Sequence, residues 1–249
     1  MHVEYYISLK CNLNCAGCAT FSPLVKEDDF KSLEKIETDF KKFYMLTKDN
    51  VQDLTIMGGE PLMHPQINDI IVYFSELFPE TKLRMITNGI LIPKMNDEFF
   101  ELIKDRIKGI IVTEYPIALD YSNIFKILDE KQINYDKWGP KYEFGHQYLH
   151  EQPEDYKDCW YRDLYILNDN KIYACTEIAF FKIFNKSFKN HNLKISEEDY
   201  IDLDKIDSYE ELVQAKKKIP PFCSHCDGHD KKLTDWRISK RDRNEWLKS

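Results

Sequence analysis

The 249-residue chain carries only eight glycines and ten prolines. That scarcity excludes a low-complexity or disordered chain, which lacks the apolar residues to bury a core and is enriched in such breakers. Excess positive charge is also missing, with a formal net charge of -8 and a pI of about 5.5. A broad surface for a nucleic-acid backbone is excluded on that ground. No apolar run approaches the ~20 residues of a membrane span, and no signal-peptide pattern follows Met1. The expected setting is cytoplasmic, with neither nucleic acid nor membrane as partner. In a reducing compartment the seven cysteines point to metal binding or catalysis rather than to disulfides. What the chain has in abundance is aromatic side chains, 15 Tyr and 15 Phe, and a length sufficient to bury a full core.

Strand-like and helix-like stretches alternate through the first 138 residues, the pattern of parallel βα units. Residues 3–9, 51–57, 82–87, 109–113 and 133–138 read as strands. Helices are expected over 29–47, capped by Asp28 or Asp29, from Pro65 through the stripe Ile67, Ile70, Ile71, Phe74 and Phe78, over 96–104, and over 121–131. Any sixth strand should be short, around 142–144. The fold class is therefore α/β, a partial (β/α)5-6 TIM-like barrel. Its working residues belong at the carboxyl ends of the strands, where loops and helix amino termini converge. Period is lost over 139–158, a stretch holding His146 and His150, so the expected division is a barrel with linker over 1–158 and a smaller module over 159–249.

Cys11, Cys15 and Cys18 lie in CNLNCAGC directly after the first strand. One short loop can thus supply three corners of a 4Fe-4S cube and leave one iron for a non-protein ligand. A zinc knuckle or a buried cysteine cluster uses the same residue types. The second strand ends in Gly58-Gly59-Glu60 and the third in Thr87-Asn88-Gly89. Together these motifs, in this order, resemble the radical SAM enzymes. The resemblance implies that the open iron binds S-adenosylmethionine (SAM), that Gly58, Gly59 and Glu60 grip its ammonium group, and that Asn88 and Thr113 contact SAM. That family usually has an aromatic residue before the third cysteine; Gly17 stands there, which leaves adenine to the Ala16 backbone or Phe21.

Four cysteines remain. Cys159 and Cys175 bracket a hairpin turning at Asn168-Asp169-Asn170, and Cys223 and Cys226 form a Cys-x2-Cys after an amphipathic helix over 208–218. Four thiolates gathered at one point suit either a zinc ion or a cluster. The arrangement resembles the C-terminal auxiliary-cluster modules called SPASM and, in shortened form, Twitch, which implies a second 4Fe-4S cluster held by all four. Three ligands and four ligands use every cysteine, so no thiol is spare to return a hydrogen atom.

The resemblance implies reductive cleavage of SAM to a 5'-deoxyadenosyl radical, with electrons from a reductant such as flavodoxin or ferredoxin, followed by hydrogen abstraction from substrate. A fully ligated auxiliary cluster suits net two-electron oxidation, with a nearby base: Glu114, Asp227, His225 and His229 are the candidates. The barrel begins at residue 3, leaving no amino-terminal leader-binding domain, so a small carbohydrate-type substrate is expected. Modification of a ribosomal peptide or protein is the alternative, and a zinc-stabilised binding protein the non-enzymatic one. The basic residues Lys231, Lys232, Arg237, Lys240, Arg241 and Arg243 read as a solvated helix face and tail, or as a local anionic pocket.

Overall fold

In the computed structural model, which describes residues 1–146, 148–155, 159–228 and 232–248, the alternating stretches form one mostly parallel sheet. Strands β1 (His2–Tyr6), β2 (Asp53–Met57), β3 (Lys82–Thr87), β4 (Gly109–Thr113) and β5 (Tyr135–Trp138) run parallel, each next to its successor. The expected sixth strand is corrected. Strand β6 (Glu143–His146) leaves the sheet, and its place beside β1 is taken by β7 (Leu164–Asn168), paired in parallel from His2↔Leu164 to Tyr5↔Leu167. Antiparallel β8 (Lys171–Tyr173) and β9 (Tyr200–Asp202) extend the sheet to the order β5-β4-β3-β2-β1-β7-β8-β9. The hairpin thus continues the barrel sheet across the boundary expected at 158/159. Its turn places Asp169 and Asn170 at φ 51 and 57, the left-handed pair of a type I′ turn, which Asp and Asn tolerate in place of glycine.

Helices α1 (Leu33–Thr47), α2 (Ile67–Leu77), α3 (Asp97–Arg106) and α4 (Tyr121–Glu130) cover one face of the sheet and bury their apolar stripes against it. The first helix begins later than expected, because Ser32 rather than Asp28 or Asp29 caps it by accepting the Lys35 N–H. Residues alternate across β1: Val3 and Tyr5 enter the main core, where Tyr5 meets Phe40 edge-on at 4.9 Å, while Glu4 and Tyr6 face the barrel interior.

A second apolar cluster covers the other side. Its centre is α5 (Thr176–Ser187), a helix not anticipated from the sequence, whose Ile178, Phe180, Phe181 and Phe184 pack on Tyr6, Phe21, Phe222 and Trp246. Helix α6 (Tyr209–Lys216) is capped by Ser208, as its pattern implies. Among the described residues of the basic tail, the helical structure is one 3-10 turn, Arg243–Glu245. Strand β10 (Lys232–Asp235) pairs antiparallel with β6, and the chain then runs back over the cysteine loop. Among the described residues, no helix is long and apolar enough to cross a membrane.

Candidate active site

The carboxyl ends of β1 and β2 are laced together by backbone. Gly59 N–H donates to the Ser8 carbonyl at 2.8 Å and Glu60 N–H to that of Lys10 at 2.9 Å. A Cβ on Gly59 would stand 2.4 Å from the Lys10 oxygen and 2.6 Å from that of Leu9. The glycine is therefore demanded by the chain's own backbone, which enters the cysteine loop at that point. The loop turns through Gly17 at φ 65, so the position before the third cysteine is held by conformation.

Cys11, Cys15 and Cys18 all line one cavity of about 750 Å3, together with Gly58, Gly59, Glu60, Asn88 and Thr113. Leu13 N–H points at Cys11 Sγ (3.3 Å) and the Trp236 indole N–H at Cys15 Sγ (3.2 Å), donors that suit a sulfur carrying negative charge. Burial pushes the Cys15 thiol up to about 12 and raises Cys11 as well, so a metal must displace bound protons from both. Glu60 is fully buried, and burial lifts it to about 7 against the bonds its carboxylate accepts. Those come from Asn88 N–H (2.8 Å), the Thr87 hydroxyl (2.7 Å) and Leu62 N–H (3.0 Å). Asn88 in turn donates to Asn12 Oδ1 at 2.7 Å, which ties the β3 turn to the cysteine loop.

A second, small cavity of about 30 Å3 is lined by Cys159, Cys175, Cys223 and Cys226. All seven cysteines are free of disulfides. Burial pushes Cys223 up to about 11 and Cys226 to about 12, and raises Cys175 further. Among the described residues, no group of three or more His, Cys, Asp or Glu is set to hold a single metal ion. Four thiols around the second cavity and three on the loop of the first have the soft-donor chemistry that iron or zinc takes.

The family model for the Radical SAM superfamily matches residues 5–131, just over half of the chain. The chain belongs to the radical SAM superfamily. Within it, AlbA of Bacillus subtilis, an antilisterial bacteriocin subtilosin biosynthesis protein, is 33% identical over 123 residues, 49% of this chain and 25% of AlbA. Molybdenum cofactor biosynthesis protein 1 of Bos taurus is 26% identical over 136 residues, 51% of this chain and 21% of that protein. The chain thus spans about a quarter of the length of these curated relatives. The fold extends further than the sequence likeness: the crystal structure of BtrN in complex with AdoMet and 2-DOIA superposes with a TM-score of 0.56 at 13% identity, covering 98% of this chain and 97% of BtrN. Radical SAM enzymes use SAM and a 4Fe-4S cluster, and the residues of the first cavity have the donor chemistry for both.

Three of the four expected bases lie outside the lining of that cavity. Glu114, Asp227 and His225 are not among the described residues lining the radical SAM cavity, and His229 lies outside the described residues. Asp227 is buried and ion-paired with Lys248 at 2.6 Å, and the His225 ring faces the His150 carbonyl at 3.0 Å. His150 is itself buried, its ring at the Gln152 carbonyl (2.6 Å). Of the expected adenine contacts, Phe21 and the Ala16 N–H are already engaged within the protein. Phe21 is core, packed on Phe184 and Trp246, and the Ala16 N–H is taken by the Arg237 carbonyl at 3.0 Å.

Other polar groups occupy the cavity instead. Glu4 accepts the Tyr6 hydroxyl at 2.8 Å, and burial holds its carboxyl above the usual range. Tyr115 lies beside the cysteines, where burial and then the neighbouring thiols raise it strongly. Tyr161 and Glu177 each line both cavities. Glu177 follows Cys175 by two positions, just beyond the hairpin read from the sequence.

Proposed function

We propose that this radical SAM enzyme reductively cleaves SAM and abstracts a hydrogen atom from a small carbohydrate-type substrate, in a net two-electron oxidation that sends the second electron to an auxiliary 4Fe-4S cluster. When bound, the first cluster and SAM supply a 5'-deoxyadenosyl radical, with electrons from a reductant such as flavodoxin or ferredoxin. Cys11, Cys15 and Cys18 hold the first cluster. Gly58, Gly59, Glu60, Asn88 and Thr113 receive SAM, Glu60 chiefly by bracing the Thr87-Asn88 turn. Cys159, Cys175, Cys223 and Cys226 hold the auxiliary cluster. The proton leaving the substrate goes to a carboxylate of the cavity wall, Glu177 or Glu4, in place of Glu114, Asp227 or His225.

The observation that carries this reading is the shared wall. Because Tyr161 and Glu177 border both cysteine-lined cavities, a substrate in the first lies next to the electron acceptor in the second. The polar lining from Glu4, Arg84, Thr113 and Glu177 suits a ligand rich in hydroxyl groups. The fold likeness to BtrN, solved with AdoMet and 2-DOIA, agrees with it. Division into a barrel over 1–158 and an auxiliary-cluster module over 159–249 is part of the same proposal.

Anaerobic reconstitution tests the reading. It should yield about eight irons per chain, and reductant plus SAM should release 5'-deoxyadenosine. Zinc in place of iron with no SAM cleavage defeats it, while half the iron plus one zinc removes only the acceptor role. A second reading, modification of a peptide, is favoured by the likeness to AlbA, a bacteriocin biosynthesis protein. Mass spectrometry separates the two: a loss of two hydrogens from a polyhydroxylated small molecule supports the first, the same loss or a cross-link in a peptide the second.

A further inference from the structure

The carboxy-terminal segment returns across the whole molecule to the cysteine loop. Cys15 forms an antiparallel bridge with Ile238; Ala16 N–H donates to the Arg237 carbonyl at 3.0 Å and Ser239 N–H to that of Asn14 at 2.7 Å. Two indoles reach the loop from this segment. The Trp236 N–H donates to Cys15 Sγ at 3.2 Å, and the Trp246 N–H to the Cys18 carbonyl at 2.8 Å. The segment between them is locked by Glu245, which is buried yet accepts from Arg237 Nη1 (2.7 Å), Lys240 N–H (2.8 Å) and the Ser239 hydroxyl. Trp236 also packs against Tyr115 at 6.1 Å and donates its backbone N–H to the Tyr142 carbonyl, so its indole is fixed from three directions.

We infer that this strap is a tuning device for the first cluster, with Trp236 as a positioning residue that raises the cluster's reduction potential through its hydrogen bond to Cys15. The inference rests on the presence of a cluster at Cys11, Cys15 and Cys18. Reduction adds one negative charge, part of which resides on the sulfurs. A donor aimed at a ligand sulfur stabilises the reduced form more than the oxidised form, and the potential rises. No proton is transferred; the indole N–H stays on nitrogen. Trp246 contacts a carbonyl instead of a sulfur, so it holds the loop without acting on the cluster charge.

The two indoles supply their own control. In the reconstituted full-length protein, the midpoint potential of the SAM-responsive cluster, identified by the change in its electron paramagnetic resonance on SAM addition, is followed in Trp236→Phe and Trp246→Phe. Phenylalanine keeps an aromatic ring and removes the N–H together with the five-membered ring, a loss of volume that is the same in both variants. The expected result is a shift to more negative potential in Trp236→Phe and none in Trp246→Phe at equal iron content. Equal potentials in wild type and Trp236→Phe overturn the inference, as do equal shifts in both variants, which would show loop distortion. If Trp236→Phe retains too little iron to titrate, Glu245→Gln, which loosens the strap without touching a ligand, decides: an unshifted potential there also overturns it. A wild type that takes up no iron counts against the proposed function and is distinguishable from all of these.

Discussion

The buried carboxylate of Glu60 accepts the backbone N–H of Asn88 at 2.8 Å, joining the end of β2 to the turn after β3. With Asn88 bonded to Asn12, a single chain of contacts runs from the Gly-Gly-Glu segment through the β3 turn to the cysteine loop. Glu60 is lifted from its ordinary 4.5 to about 7, chiefly by burial. A folded-state value above the unfolded one means that the protonated carboxyl contributes stability fully below about 4.5, and that this contribution is lost as pH rises through about 7. The metal-free wild type should therefore lose stability relative to Glu60→Gln across that window, by on the order of 3 kcal/mol in total. Denaturant unfolding of both proteins at about pH 5 and about pH 8 reads the difference; parallel curves would show that burial does not raise the Glu60 carboxyl.

Gly59→Ala should be among the most damaging single substitutions in the barrel. The added methyl meets the Leu9 and Lys10 carbonyls at 2.6 and 2.4 Å, and both are backbone atoms that cannot rotate away. Separating β1 from β2 there displaces the cysteine loop. A loss of at least about 2 kcal/mol is expected, together with loss of iron at the first site. Thermal unfolding of the apo protein and iron analysis after reconstitution measure the two effects independently.

The barrel strands and helices were legible because each obeys a single periodicity, and because the cysteine triplet and Gly58-Gly59-Glu60 fall at strand ends. The sixth strand was misplaced for a topological reason. Residues 142–144 have strand character, and β6 does form there, but its partner is β10; β7 reaches β1 only through the long-range pairing His2↔Leu164. Helix α5 was missed because its first half, including Ile178, Ala179, Phe180 and Phe181, is buried, and a stretch covered all round shows no amphipathic stripe. The tail was unreadable for the same kind of reason. Arg237 looks like a solvated charge until Glu245, eight residues on, is found buried beneath it. Glu177 and Tyr161 carry no motif in sequence and gain their interest only from the two cavities they border.

Cys226→Ala should separate the two cysteine sites. If the four thiols hold one auxiliary cluster, iron falls from about eight to about four per chain, while reductant-dependent release of 5'-deoxyadenosine persists. Substrate oxidation should be lost, because the second electron has no acceptor. Iron analysis, 5'-deoxyadenosine and product are measured on one preparation. Unchanged iron content would show that Cys226 is a core thiol instead of a ligand.

Glu177→Gln tests where the proton goes. The side chain is buried, accepts the Thr176 hydroxyl at 3.1 Å and borders both cavities, whereas Glu114 is not among the described residues lining either. Replacing the carboxylate with an amide keeps the shape and removes the proton acceptor, so substrate oxidation should fall by about 10²-fold or more. Release of 5'-deoxyadenosine without substrate should be little changed, since that step needs no base. The ratio of product to 5'-deoxyadenosine is thus the informative quantity. Glu4→Gln serves as the comparison: a fall in that ratio confined to Glu4→Gln would move the base to β1, and a fall in neither would return the role to a group outside the cavity wall.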